Sequence, residues 1–153
     1  MALLTEDIIS AEHAGTLDGL LCERVRRTPD IMAYRSYDSA SRSWIDTTWG
    51  EVGREVAHWK AALEAEELSP GDRVAVHLRN SKEWVLFDQA ALACGLVTVP
   101  LYTDDRPENI AYITENSAVR LLLLQDAAAW NRIAPALSGQ DHLERVLILN
   151  PSK

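Results

Sequence analysis

The chain has 153 residues, with 15 Lys and Arg against 23 Asp and Glu, for a net charge of −8. That length suits one domain able to bury about 70% of the surface its unfolded chain exposes. A composition of 47% hydrophobic and 25% charged residues excludes disorder, a collagen-like chain and a disulfide-built miniprotein. The acidic balance speaks against a nucleic-acid or anionic-membrane binder, which needs a basic face. Cys22 and Cys94 lie far apart with no paired spacing, the pattern of a reduced chain. Met1 to Asp7 has no cationic start and too short an apolar run for a secretory signal. No apolar stretch approaches the ~20 residues that span a bilayer. A soluble, cytoplasmic chain is expected.

In chain order, Thr16 is placed to cap a helix with the apolar stripe Leu17, Leu20, Leu21 and Val25, which Pro29 stops. Ile31–Tyr37 and Ser43–Thr47 read as strands joined by the small polar residues of 38–42. Thr48-Trp49-Gly50-Glu51 fits a capping box, and Val52, Val56, Trp59 and Leu63 behind it share one helix face. Arg73–Leu78 is a strand rich in β-branched residues. Asn80 and Glu83 then suggest a second capping box, ahead of an apolar helix over Trp84–Cys94 that Gly95 ends. Leu96–Leu101 is a strand, Pro107–Asn116 a helix presenting Ile110 and Ile113, and Val119–Leu124 a strand. Ala127–Leu137 is a helix with Trp130, Ile133 and Leu137 inward, and Arg145–Leu149 a last strand. These strands are continuous apolar runs, as expected where both faces are covered. The fold class is therefore α/β: an open, mostly parallel sheet flanked by helices, with an N-terminal helix and hairpin.

Motif chemistry is sparse. There is no G-x-G-x-x-G after a strand, no P-loop signature and no G-x-S-x-G elbow. His13, His58, His77 and His142 share no metal spacing with one another or with the cysteines. Cys22 and Cys94 fall on apolar helix faces and read as packing residues, as do Trp59, Trp84 and Trp130. One segment stands out by topology alone, since ligands of open parallel sheets gather at the carboxyl ends of the strands. Those ends carry Arg79-Asn80-Ser81, then Tyr102-Thr103-Asp104-Asp105-Arg106, then Gln125-Asp126. The middle loop offers hydroxyls, carboxylates and a guanidinium to a ligand, although Asp104 or Asp105 would equally serve to cap the next helix.

Three stretches together resemble the opening of the acyl-adenylate-forming (AMP-dependent synthetase/ligase) superfamily: Pro70-Gly71-Asp72-Arg73-Val74-Ala75-Val76, Asn80-Ser81-Lys82-Glu83-Trp84, and Ala91 to Tyr102. Arg27-Thr28-Pro29-Asp30 and Thr47 to Val52 match upstream, and Pro107 to Ile113 downstream, in order and spacing. The resemblance covers about residues 16–149 and is nearest to bacterial long-chain fatty-acid–CoA ligases. It implies part of a larger adenylating-enzyme fold, with 1–15 an N-terminal extension, 16–150 the N-terminal subdomain and 151–153 a truncated end.

The reaction it implies joins a carboxylic acid to the α-phosphate of ATP with Mg²⁺ present, releasing pyrophosphate, before the thiol of CoA displaces AMP. The family's phosphate loop ends in Gly-x-Pro-Lys, whereas the lysines here are Lys60, Lys82 and Lys153, none in such a setting. The magnesium glutamate, ribose aspartate and C-terminal lysine of the family have no counterpart either, so no catalytic, cofactor-binding or metal-binding residue carries over. The expectation is a scaffold fragment, inactive and cofactor-free by itself. Its partner is the remainder of a parent enzyme acting on fatty acid, ATP and CoA, in the cytoplasm or peripheral to a membrane. A stand-alone, non-catalytic interaction or ligand-binding module on the same scaffold is the alternative. Apolar faces left bare by a missing part would promote self-association.

Overall fold

Capping side chains set where this chain turns helical. In the computed structural model, which describes residues 8–38 and 40–151, a single-turn α1 (Ala11–Ala14) leads into α2 (Leu17–Arg27). There Thr16 Oγ1 accepts from the Gly19 N–H at 2.9 Å. β1 (Met32–Asp38) and β2 (Ser43–Thr48) pair antiparallel, Tyr37 against Trp44 and Arg35 against Asp46. At the turn between them, the Asp38 carboxylate accepts from the Ala40 and Ser41 N–H groups.

The capping box at the head of α3 (Trp49–Glu64) is present in full: Thr48 Oγ1 accepts from the Glu51 N–H, and Glu51 Oε2 accepts from the Thr48 N–H at 2.7 Å. Thr48→Ala is therefore expected to cost about 1 kcal/mol. A shift of the urea midpoint checks this, and no shift would mean that water replaces the cap at no cost.

β3 (Arg73–His77), α4 (Lys82–Ala93), β4 (Val97–Pro100), α5 (Pro107–Asn116), β5 (Val119–Asp126), α6 (Ala127–Leu137) and β6 (Arg145–Asn150) complete the order. The last four strands form one parallel sheet in the order β4-β3-β5-β6, with Val74 opposite Thr98 on one side and Leu121 on the other. Alternation sorts side chains between two layers. Val74, Val76, Leu121 and Leu123 pack with Val52, Val56, Leu63, Leu86 and Phe87 of α3 and α4. Ala75, Leu122 and Leu124 pack with Ile110, Ile133 and Leu137 of α5 and α6. The α/β expectation holds, and the run Leu121–Leu124 is buried throughout because both of its faces are covered.

Several local expectations are corrected. Ser81, and not Asn80, caps α4: its Oγ accepts from the Trp84 N–H, so the helix begins one residue later than the Asn80–Glu83 spacing suggests. Of the α2 stripe, Leu21 is buried and Val25 packs against the core, but Leu17 is 65% exposed and Leu20 41%. Cys22 is also exposed, its thiol directed at Asp18 Oδ1 and not into the core. The cause is geometric. Gly53 of α3 lets α2 approach so closely that a Cβ there would lie 2.9 Å from Val25 Cγ1, and α2 meets the core through Leu21 and Val25. Cys94 does pack against the core, as expected, and Gly95 at φ +71° reverses the chain after α4.

A candidate ligand cleft at the carboxyl ends of the strands

α4, which follows β3, lies on one face of the sheet, while α6, which follows β5, lies on the other. The connections thus diverge between β3 and β5, and beside that point a crevice lies beyond the carboxyl ends of β3 and β4. A cleft of about 700 Å³ occupies this end of the sheet, lined by Leu78, Arg79 and Asn80 after β3, Trp84 in the first turn of α4, and Pro100 to Asp104 after β4. Its wall is apolar at Leu78, Trp84, Pro100 and Leu101. Its rim carries a guanidinium, an amide, a phenol, a hydroxyl and a carboxylate. Tyr102 is 85% exposed, so its ring stands free at the mouth.

The loop singled out by topology is divided in its duties. Tyr102, Thr103 and Asp104 line the cleft. Asp105 does not: Oδ1 accepts from the Arg106 N–H and the Asn109 side chain, both at 2.8 Å, and organises the start of α5. Those bonds, the Asn109 one foremost, hold the Asp105 carboxyl below the ordinary aspartate range. Arg106 occupies the N-cap position without a side-chain cap bond. At the third strand end, Asp126 Oδ1 accepts from the Ala129 N–H and caps α6. Trp84 packs against the core, as expected, and also forms part of the cleft wall.

Two residues that the sequence did not mark as functional hold the loop in place. Arg132 on α6 donates from Nη1 to the Asp105 carbonyl at 2.8 Å and from Nη2 to the Thr103 carbonyl at 2.7 Å. Its Nη2 also lies 3.4 Å from Nε2 of His77, the last residue of β3, which is 99% buried with Nδ1 unpartnered. Burial and then the Arg132 charge push the His77 pKa down, against smaller opposing effects of its own backbone, Asp126 and Asp104. The folded state thus refuses a proton that the unfolded chain takes up near pH 6.5. The contribution of neutral His77 to stability is present above that pH and declines as pH falls below it. Urea unfolding at pH 7.5 and 5.5 should show a larger acid loss for the wild type than for His77→Gln; equal losses would exclude the effect.

Among the described residues, no three His, Cys, Asp or Glu side chains stand close enough to hold a metal ion. Nor is any helix of the described residues long and apolar enough to cross a membrane.

Residues 21–153 match the family described as "AMP-binding enzyme". The chain is 27% identical over 129 residues to the long-chain-fatty-acid–CoA ligase FadD15 of Mycobacterium tuberculosis, a match covering 84% of this chain and 21% of that protein. It is 32% identical over 149 residues to the long-chain-fatty-acid–AMP ligase FadD26 of the same organism, covering 84% and 25% respectively. Among solved structures, a Mycobacterium tuberculosis fatty acyl CoA synthetase superposes with a TM-score of 0.77 at 19% identity, over 89% of this chain and 27% of that one. The chain thus spans about a fifth to a quarter of the length of these curated relatives. The match over residues 21–153 and the likeness in fold lead to one conclusion: this chain belongs to the AMP-binding enzyme family and corresponds to part of its adenylating fold.

Proposed function

We propose that this chain is the N-terminal scaffold of an ATP-dependent acyl-CoA synthetase, with residues 16–150 as the subdomain that supplies one wall of the acyl-activating site. Residues 1–15 are an N-terminal extension to that subdomain. The observation that carries this reading is the cleft itself. It has an apolar wall at Leu78, Trp84, Pro100 and Leu101 suited to a hydrocarbon and a polar rim from Arg79, Asn80 and Tyr102 to Asp104 suited to a charged head group. The names of the similar proteins favour a long-chain fatty acid as the carboxylate. One is a CoA ligase and the other an AMP ligase, and both names share the activation of the acid as its adenylate. ATP, Mg²⁺ and CoA then belong to the assembled enzyme.

ATP–pyrophosphate exchange with palmitate as the acid tests this directly. The expected result is no exchange by this chain alone. Exchange above background would overturn the reading of an incomplete catalyst. The gene gives a second check: the reading frame should continue past the Lys153 codon to a Ser/Thr/Gly-rich stretch ending in Gly-x-Pro-Lys. A stop codon there would transfer the function to a non-catalytic module. A groove of about 370 Å³ bordered by Leu17, Leu20, Tyr34, Trp49 and Leu92 supports self-association of the isolated chain. Sedimentation at increasing concentration reads it out.

A further inference from the structure

Arg132 on α6 ties the loop after β4 to the end of β3. Its two amino groups hold the Thr103 and Asp105 carbonyls on either side of Asp104, and one of them rests on the buried imidazole of His77. Asp105 N–H donates to the Tyr102 carbonyl, so the loop is a tight turn whose shape follows from where those carbonyls are held. We propose that His77 and Arg132 form a proton-sensitive latch: neutral His77 lets Arg132 grip the loop, and protonation of His77 releases it and lets residues 102–106 swing away from the cleft.

The chemistry is local. Neutral imidazole with its proton on Nδ1 presents a lone pair on Nε2 to the guanidinium 3.4 Å away. An imidazolium has no acceptor there and sets a second positive charge against Arg132 with little solvent between them. The long guanidinium arm has an easy escape, because Arg132 is largely exposed and both of its acceptors are backbone carbonyls that water can satisfy. The charged groups facing the ring are Arg132 from α6, Asp126 from the end of β5 and Asp104 from the loop itself. The Asp126 carboxylate already caps α6, and Asp104 rides on the segment that moves. The two aspartates favour the proton, and Arg132 with burial opposes it; relief of that opposition drives the release. The inference rests on the geometry of the rim and not on what occupies the cleft, so it stands or falls separately from the proposed acyl chemistry.

The test is an NMR titration of the ¹⁵N-labelled full chain between pH 8 and its acid unfolding midpoint. It follows the His77 ring and the amides of Thr103, Asp104, Asp105 and Arg106. The expected result is that all four amides shift with the midpoint of the His77 ring. In Arg132→Ala the hydrogen-bonded Asp105 and Arg106 amides should exchange with deuterium at least 10-fold faster than wild type at pH 7, and the four loop amides should no longer follow the ring. His77→Gln keeps an acceptor without a titrating proton, and should hold the loop closed at every pH. Loop amides that stay still while the ring titrates would overturn the proposal, as would unchanged exchange in Arg132→Ala. A ring that remains neutral until the chain unfolds also overturns it, since no proton then reaches the latch. Should His77→Gln fail to fold by circular dichroism, the wild-type titration and Arg132→Ala decide between these results.

Discussion

Phe87→Ala is expected to lower the unfolding free energy by about 3–5 kcal/mol, the range for removing a buried aromatic ring. Phe87 is fully buried in the layer between the sheet and α3, and it meets the Trp59 ring edge-on with centroids 5.6 Å apart. Its removal deletes transferred surface and leaves Trp59 facing a void that neighbours fixed to two helices and a sheet cannot fill. Because domains of this size are stable by only about 5–15 kcal/mol, the variant should sit close to its unfolding midpoint at 37 °C. Equilibrium urea denaturation measures the loss. A cost below about 1.5 kcal/mol would show that the site collapses around the missing ring and that the layer is not tightly packed. Phe87→Leu retains most of the volume and should recover more than half of the difference.

On the other face of the sheet, Ile133→Ala should cost about 2–5 kcal/mol, towards the upper end. Pro135 lies inside α6 and has no N–H to donate back along the helix, so α6 depends on packing more than its length suggests. Ile133 is completely buried and supplies much of that packing. Phe87 and Ile133 belong to separate layers with no shared cluster, so the double variant should lose the sum of the two single costs within about 0.5 kcal/mol. A larger discrepancy would mean that the sheet transmits strain from one layer to the other.

Much of this architecture is written in local chemistry. Thr16 and Thr48 announce their helices because a hydroxyl and the amides it caps lie within one turn of sequence. The run Leu121–Leu124 announces a doubly covered strand because alternation vanishes when both faces are buried. The start of α4 is less legible, since Asn80 and Ser81 are both competent caps. The choice falls to Ser81, whose extended backbone aims its hydroxyl at Trp84. The α2 stripe misleads for a different reason: periodicity marks an apolar face but not its width, and here Leu21 and Val25 reach the core while Leu17 and Leu20 stay exposed. The cleft is found by a rule of topology and not by a motif. The Arg132 grip has no sequence signal at all, because its acceptors are backbone carbonyls far along the chain, and any residue has those.

The sheet order also bears on how the molecule assembles in time. β3 finds its β5 neighbour only after the chain has run through α4, β4 and α5, so Val74 and Leu121 meet across a long intervening segment. Closing such a loop costs entropy before any layer packs against the sheet, which makes this pairing the slow event. The β1–β2 hairpin and the capped α3 need only near neighbours and can form early. During synthesis, the chain therefore has to wait for β5 to emerge before Leu121 and Leu123 complete the layer around Phe87. Until then the apolar faces of α3 and α4 are open to solvent, and that interval is when a chaperone would have something to hold.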